Sequence, residues 1–253
     1  MTVQELIAAL DLPGSCRVDQ RVPKKLLIEN CAPIASDKRQ INDGIEEIRW
    51  LAALKPNNTG MPEYRDGVRE YLEIAVLSVT LRGSAKAGRL AELVHRAVPY
   101  PMVLLLNSKQ TLMLSLAHKR WAQNEAGKVV LDGSMVEVAL PGAAPSSAIE
   151  TAFMKALALA RQPQATLYAL YQGWMDSVEA LLAARLTGCF KDADTPEQAA
   201  ARRQGLQDCQ RLELEAVSLR AKAAKEKQLA RQVELNLALK RVQAQLATAR
   251  EQL

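Results

Sequence analysis

The sequence predicts an α+β fold: a mostly antiparallel sheet with flanking helices, then a helical region and a long C-terminal helix with coiled-coil character. Three observations carry this. Short apolar, β-branched runs separated by turn residues fill the stretch from Ile45 to Leu140. Beyond Glu197 the chain has no proline, no aromatic residue and one glycine, Gly205, and is dominated by Ala, Leu, Gln, Glu, Lys and Arg. The charge is also uneven. The chain is +5, and Arg202 to Leu253 holds eleven Lys/Arg against six Asp/Glu, which leaves the rest neutral. The expected divisions are an α+β body over residues 1–145, a helical region over 146–190 that packs on the body, and a basic helical, coiled-coil tail over 196–253.

In chain order, Val3 to Leu10 reads as a short helix stopped by Pro13 and Gly14. Arg17 to Lys25 is an extended basic segment, and Pro23 is placed to open a helix over Lys24 to Asn30. Ser36 to Gln40 is polar and suits the cap of another short helix. The second half of Ile45–Leu54 reads as a strand that ends at Pro56 and Asn57. Tyr71 to Leu81 is the strongest strand, followed by a break at Arg82, Gly83 and Ser84. Leu90, Leu93, Val94 and Ala97 recur at helical spacing in Lys86–Ala97.

Met102–Leu106 and Thr111–His118 follow as a strand pair. Val129–Leu131 and Met135–Leu140 form a second pair around Asp132-Gly133, a dipeptide that favours hairpin turns. The sheet is expected to carry its helices on one side. After a linker from Pro141 to Pro145, Ser146 or Ser147 caps a helical region interrupted by Pro163. Its second half places Leu167, Leu170, Tyr171, Trp174 and Val178 on one stripe, read as core. In the tail, Leu235, Leu239, Val242, Leu246, Ala249 and Leu253 alternate four and three apart, a coiled-coil seam. Leu212, Leu219 and Val233 fall out of that register and imply a stutter near Val233. Such a seam needs a partner: a second copy, another protein, or the body of the chain. One straight helix and a folded-back arrangement both remain open.

The chemistry searched for is sparse. Cys16, Cys31, Cys189 and Cys209 are far apart and form no CxxC pair, so four reduced thiols are expected, with no metal site and no cofactor. Reduced thiols fit the cytoplasm. No apolar run reaches the ~18 residues of a membrane helix. The segment from Arg82 to Gly88 lacks the Gly-Lys-Ser/Thr ending of a phosphate loop. A metal-dependent nuclease needs carboxylates and a lysine at strand ends. Thr80 and Arg82 stand where Glu and Lys would be required, which leaves Glu47, Glu70 and Glu73 as the only candidates for an unrecognised site. His95 and His118 sit in apolar elements without a visible acid–nucleophile set.

Two basic sets are candidate nucleic-acid contacts. One is Arg17, Arg21, Lys24 and Lys25. The other is Arg202, Arg203, Arg211, Arg220, Lys222, Lys225, Lys227 and Arg231. The candidate partner seam is Leu235, Leu239, Val242, Leu246 and Leu253.

A family pattern runs through these residues. Arg21-Val22-Pro23-Lys24-Lys25, then the block from Ile45-Glu46-Glu47-Ile48-Arg49-Trp50-Leu51 to Pro56, then Glu73-Ile74, then Ala97-Val98-Pro99-Tyr100-Pro101 resemble the bacterial family catalogued as domain of unknown function 4391. The resemblance covers roughly Leu10 to Leu253. The family has no established activity. The resemblance implies companions of helicases and DNA methyltransferases in phage-defence or restriction loci. The expectation is therefore a non-catalytic accessory subunit of a DNA-acting complex, in which the body docks on a larger subunit, a helicase or methyltransferase, and the tail bundles with a partner helix or a second copy and touches DNA backbone. A metal-dependent nuclease-like domain, degenerate in its ligands, and a stand-alone nucleic-acid binder are the alternatives.

Overall fold

A computed structural model describes residues 1–30, 34–83, 85–109, 111–123, 125, 127–142 and 147–253. Helix α1 (Val3–Leu10) begins at a capping box, with Thr2 and Glu5 each bonding the other's backbone N–H. Strand β1 (Arg17–Arg21) leads to α2 (Lys24–Asn30) and α3 (Ala35–Gly44). Ser36 to Gln40, expected to cap α3, lie inside it. Ile34 is the cap, and Asp37 is buried against Arg89, which bonds both its oxygens at 2.7 and 3.1 Å. All of Ile45–Leu54 is strand β2, not its second half alone, because Ile45 and Ile48 extend the buried face to its start.

A short helix α4 (Pro56–Thr59) and a two-stranded ribbon, β3 (Tyr64–Arg65) with β4 (Glu70–Tyr71), precede β5 (Ile74–Leu81). The long strand expected from Tyr71 is thus two strands. Helix α5 (Ala87–Ala97) crosses to β6 (Met102–Asn107), then β7 (Thr111–Trp121) and β8 (Val129–Pro141). The six-stranded sheet has the order β1-β2-β5-β6-β7-β8. Only the β5–β6 pair is parallel, as its helical crossover requires. Strands β5 and β6 are buried along nearly their whole length, which is why they read as continuous apolar runs.

Asp132-Gly133 does not make a hairpin. It lies inside β8, which pairs with β7 on both sides of an irregularity between Leu116↔Val136 and His118↔Asp132, and Gly133 takes φ +79° there. His118 is accordingly internal to β7 rather than at its end.

One sheet face buries Leu77, Val79, Leu104 and Leu106 under α5, α2 and α3. Val76, Val103 and Leu105 point to the other face and are equally buried. There the first half of α7 (Leu167–Thr187) sends Tyr171 to the backbone of Met102 and Ala117. Helices therefore cover both faces, not one. Helix α6 (Ala148–Ala156) starts at a Ser147–Glu150 capping box, while Ser146 lies outside the described residues.

The chain divides into two compact units, Met1–Val178 and Glu179–Leu253. The second holds the end of α7, α8 (Pro196–Lys225) and α9 (Leu229–Glu251). Cys16, Cys189 and Cys209 are free thiols, and Cys31 lies outside the described residues. No described helix is long and apolar enough to cross a membrane.

Candidate functional site

The three candidate carboxylates of the first unit each have a cation beside them, and Glu47 lies far from Glu73. Glu47 pairs across the sheet with Thr80, whereas Glu73 immediately precedes Ile74, which pairs with Leu54 at the opposite end of β2. At ~3.3 Å per residue these ends lie roughly 20 Å apart. Glu73 is engaged by Lys55 at 3.0 Å, Glu70 by Arg65 at 3.1 Å, and Glu47 faces Arg21 at 3.7 Å. Among the described residues no cluster of three His, Cys, Asp or Glu side chains could hold a metal ion.

His95, Ser115 and Glu137 form a chain, with Nε2 to Oγ at 3.1 Å and Oγ to Oε1 at 3.2 Å. The hydroxyl proton goes to the carboxylate, so His95 Nε2 carries its own proton and does not act as base toward Ser115. Burial, with Lys119 adding to it, lowers the His95 pKa to about 3, and neither His95 nor Ser115 is exposed at all. His118 is held at both nitrogens, by the Tyr71 hydroxyl at 2.5 Å and Gln172 Oε1 at 2.8 Å.

The N-terminal basic set sits near a cleft of about 710 Å³ lined by α1 and by Asp19, Glu47, Arg49, Ser78 and Thr80. Arg17 lines it, and Arg49 holds Asp19 at 2.8 Å, a pair the sequence did not suggest. Arg21 lies beside Glu47, Lys25 pairs with Glu29 at 3.3 Å, and Lys24 donates to Asn42 O at 3.1 Å and to Ile45 O. Burial, with Arg82 and Arg21 adding to it, lowers the Lys24 pKa. This set does not form one free cationic surface.

The second unit is different. Helices α8 and α9 form an antiparallel hairpin. Leu253 lies on Gly205, Arg250 reaches Glu213 at 2.7 Å, and Gln232 reaches Ala223 O at 3.4 Å. The chain turns at residues 226–228, where Glu226 Oε1 accepts the N–H groups of Lys227 and Gln228 at 2.8 and 2.9 Å. Those two bonds lower the Glu226 pKa.

The seam packs inside the hairpin. Val242 is buried against Leu212 and Ala216, with Leu239, Leu246, Ala249 and Leu219 around them. Leu235 is half-buried, and Leu253 rests on Gly205. The partner of this seam is thus α8 itself. No stutter is needed: Leu212 and Leu219 belong to α8, and Val233 lies on the face of α9 opposite Val242, nine residues or ~180° away.

That opposite face is apolar and uncovered. Leu229, Val233 and Leu237, four residues apart, are 75%, 51% and 52% exposed, and Leu214 and Val217 of α8 are exposed as well. The sequence contained the signal for this stripe, since Ala230, Val233, Leu237, Ala244 and Ala247 repeat in their own phase beside the seam.

The tail cations separate into two groups. Arg203 is tied to the buried Glu179 at 3.0 Å, and Arg211 is paired with Asp208 and Glu215. Arg202 is half-buried. Arg220, Lys222, Lys225, Lys227 and Arg231 are all exposed around the hairpin's turn, and Lys240 and Arg241, midway along α9, are exposed as well. Among the described residues none of these seven makes an ion pair. Residues 220–241 hold seven Lys/Arg and only Glu226 and Glu234 in opposition, so this stretch alone carries the chain's whole formal excess of +5. The site the geometry assembles is therefore the distal half of the hairpin, a concentrated positive field beside an unpartnered apolar stripe.

No curated protein and no solved structure matches the chain. The model of one family, described as a domain of unknown function, matches residues 10–246, nearly the whole length. The chain belongs to that family, DUF4391.

Proposed function

We propose that the chain is a non-catalytic interaction subunit of a bacterial, cytoplasmic, DNA-acting assembly of the anti-phage defence type. In this reading it docks on a larger helicase or methyltransferase subunit through the distal half of the α8–α9 hairpin. The observation that carries this reading is the second apolar stripe. A hairpin whose seam is already filled by its own two helices still exposes Leu229, Val233 and Leu237 at helical spacing. Contiguous exposed apolar surface of this kind marks interaction sites. The scattered, individually paired carboxylates of the first unit fit a scaffold better than a hydrolytic centre.

The test is recovery of a tagged copy from its native host, with mass spectrometry and light scattering on the recovered species. A defined stoichiometry with a helicase or methyltransferase, lost when Val233 and Leu237 are both changed to Ser, is the expected result. Recovery as a monomer or homodimer overturns the reading.

A further inference from the structure

We infer that the cleft between α1 and the sheet is a binding site for an uncharged nucleoside. The cleft belongs to the first unit, so this stands apart from the docking reading, which concerns the second. The argument begins with one face of the sheet. Val76, Ser78 and Thr80 of β5 alternate onto it, with Val103, Leu105 and Asn107 of β6 beside them. Val76, Val103 and Leu105 are buried and apolar. At the carboxyl ends of this parallel pair the same face turns polar. Open sheets with helical crossovers bind ligands at such ends. Cross-strand pairing places Arg49 opposite Ser78 and Glu47 opposite Thr80.

The fold itself does not use these polar groups. Ser78 is only 8% exposed, yet its hydroxyl has no hydrogen-bond partner among the described residues, and neither has the Thr80 hydroxyl or the Asn107 amide. All three line the cleft. Buried polar groups are normally satisfied, so these three have donors and acceptors left for a ligand. The backbone supplies a second observation. The pairing of β1 shifts register between Arg17 and Gln20, and Asp19 in that irregularity takes φ +51°. Asp19 thereby meets Arg49 at 2.8 Å on the wall of the cleft. Bulges and backbone strain that re-aim a side chain cluster beside binding sites.

The lining sets the chemistry of the ligand. Arg17 and Arg49 are offset by Asp19 and Glu47, so the charges of the cleft cancel. An anion gains from the arginines and loses to the carboxylates, and a cation does the reverse. Val3, Ile7 and Leu12 make the opposite wall apolar. The ligand therefore combines an apolar face, a hydrogen-bonding edge and no net charge. A nucleoside has all three. The faces of its base cover the α1 wall, the edge of the base meets Ser78, Thr80 and Asn107, and the ribose diol donates to the carboxylates of Asp19 and Glu47. A free sugar lacks the flat apolar ring. A zwitterionic amino acid reaches its counter-charges only by parting Arg49 from Asp19. The cleft volume of about 710 Å³ is in the range of small-molecule sites.

The experiment uses the full chain, nitrogen-labelled for amide resonance spectra. The probes are adenosine, guanosine, cytidine and uridine, their monophosphates, inorganic phosphate, glucose and leucine. At least one nucleoside is expected to shift the amides of Ser78, Thr80 and Asn107 saturably, with its monophosphate binding no more tightly. Ser78→Ala, Thr80→Val removes two hydroxyls that bond nothing in the chain. It is expected to weaken nucleoside binding roughly 10-fold or more and to leave the melting temperature unchanged. Ser78→Ala alone takes its place if the double variant does not fold.

Four results overturn the inference: no saturable binding of any nucleoside, shifts confined to amides outside the cleft, unchanged affinity in the folded variant, or tighter binding of a monophosphate, phosphate, glucose or leucine at the same amides.

Discussion

Arg250 of α9 places its guanidinium 2.7 Å from the Glu213 carboxylate of α8. The pair marks the antiparallel alignment of the hairpin, but both side chains are nearly half exposed, and an ion pair of this kind contributes only about 0–1 kcal/mol. The hairpin is held instead by a thin seam in which Val242 meets Leu212 and Ala216. Val242→Asp places a charge in that seam and is expected to cost about 3 kcal/mol or more, with an early loss of helical signal on heating. Leu237→Ser, on the outer face, is expected to change stability by about 0.5 kcal/mol or less. Circular dichroism melts of the two variants separate the inner face from the outer. Equal destabilisation would mean that the faces are wrongly assigned.

Gly205 offers a test in which the sign is decided by two competing terms. It lies inside α8, where alanine is favoured over glycine by roughly 0.8–1.0 kcal/mol. A Cβ added there would stand 2.8 Å from Leu253 Cδ2, which is too close. The obstacle is the tip of a flexible side chain on the last residue, so it can move aside at small cost. Gly205→Ala is expected to raise the melting temperature, with a net gain of roughly 0.5 kcal/mol. Combining it with Leu253→Ala tests the clash. If the conflict is real, the gain from Gly205→Ala is larger in that background.

The Tyr171 hydroxyl fills a gap in the sheet. The β6–β7 pairing runs from Asn107↔Leu112 only as far as Leu104↔Ser115. Beyond it, the hydroxyl accepts the Ala117 N–H at 2.9 Å and faces the carbonyls of Met102 at 2.8 Å and Ala117 at 3.1 Å. Tyr171 is wholly buried, so Tyr171→Phe strips a buried N–H of its partner, at a cost of about 1–3 kcal/mol. Tyr64→Phe, whose hydroxyl bonds the exposed Asp66, serves as the comparison and should change less. Urea midpoints of the two variants measure the difference, and faster exchange of the Ala117 amide in Tyr171→Phe would locate it.

These particulars also explain what could be read from the sequence. Strands β5 and β6 were legible because they are buried on both faces and so carry unbroken apolar runs. Asp132-Gly133 misled because the positive φ that suits Gly133 to a tight turn equally suits it to an irregularity within a long strand. The fold-back of the tail was not legible because no proline or glycine marks it. The Glu226 carboxylate takes the two N–H groups that the break in the helix exposes, a role that composition cannot reveal. The candidate site was half legible. The basic excess of the tail followed from counting, and the pairing of Arg211 follows from its i−3 and i+4 carboxylates. The outer stripe was obscured by reading two helices as one register.

Lys119 makes the stability of the sheet unit depend on pH. It is 3% exposed and donates to the carbonyl oxygens of His95 and, at 2.5 Å, of Val98 at the end of α5. Burial pulls its pKa down to about 7, whereas an unfolded lysine titrates near 10.4. Between those values the unfolded chain binds more protons than the folded one, so stability rises with pH from about 7 to about 10 and levels off above. The slope from this one group is at most about 1.4 kcal/mol per pH unit. His95, lowered to about 3, acts in the same sense at lower pH. Its contribution falls away on acidification from about 6.5. Lys119→Met keeps the apolar stem and removes the proton. The wild type should therefore gain on the variant as urea midpoints are compared at pH 7 and then at pH 9. A constant difference would show that Lys119 stays charged across that range, held so by the two carbonyls at the end of α5.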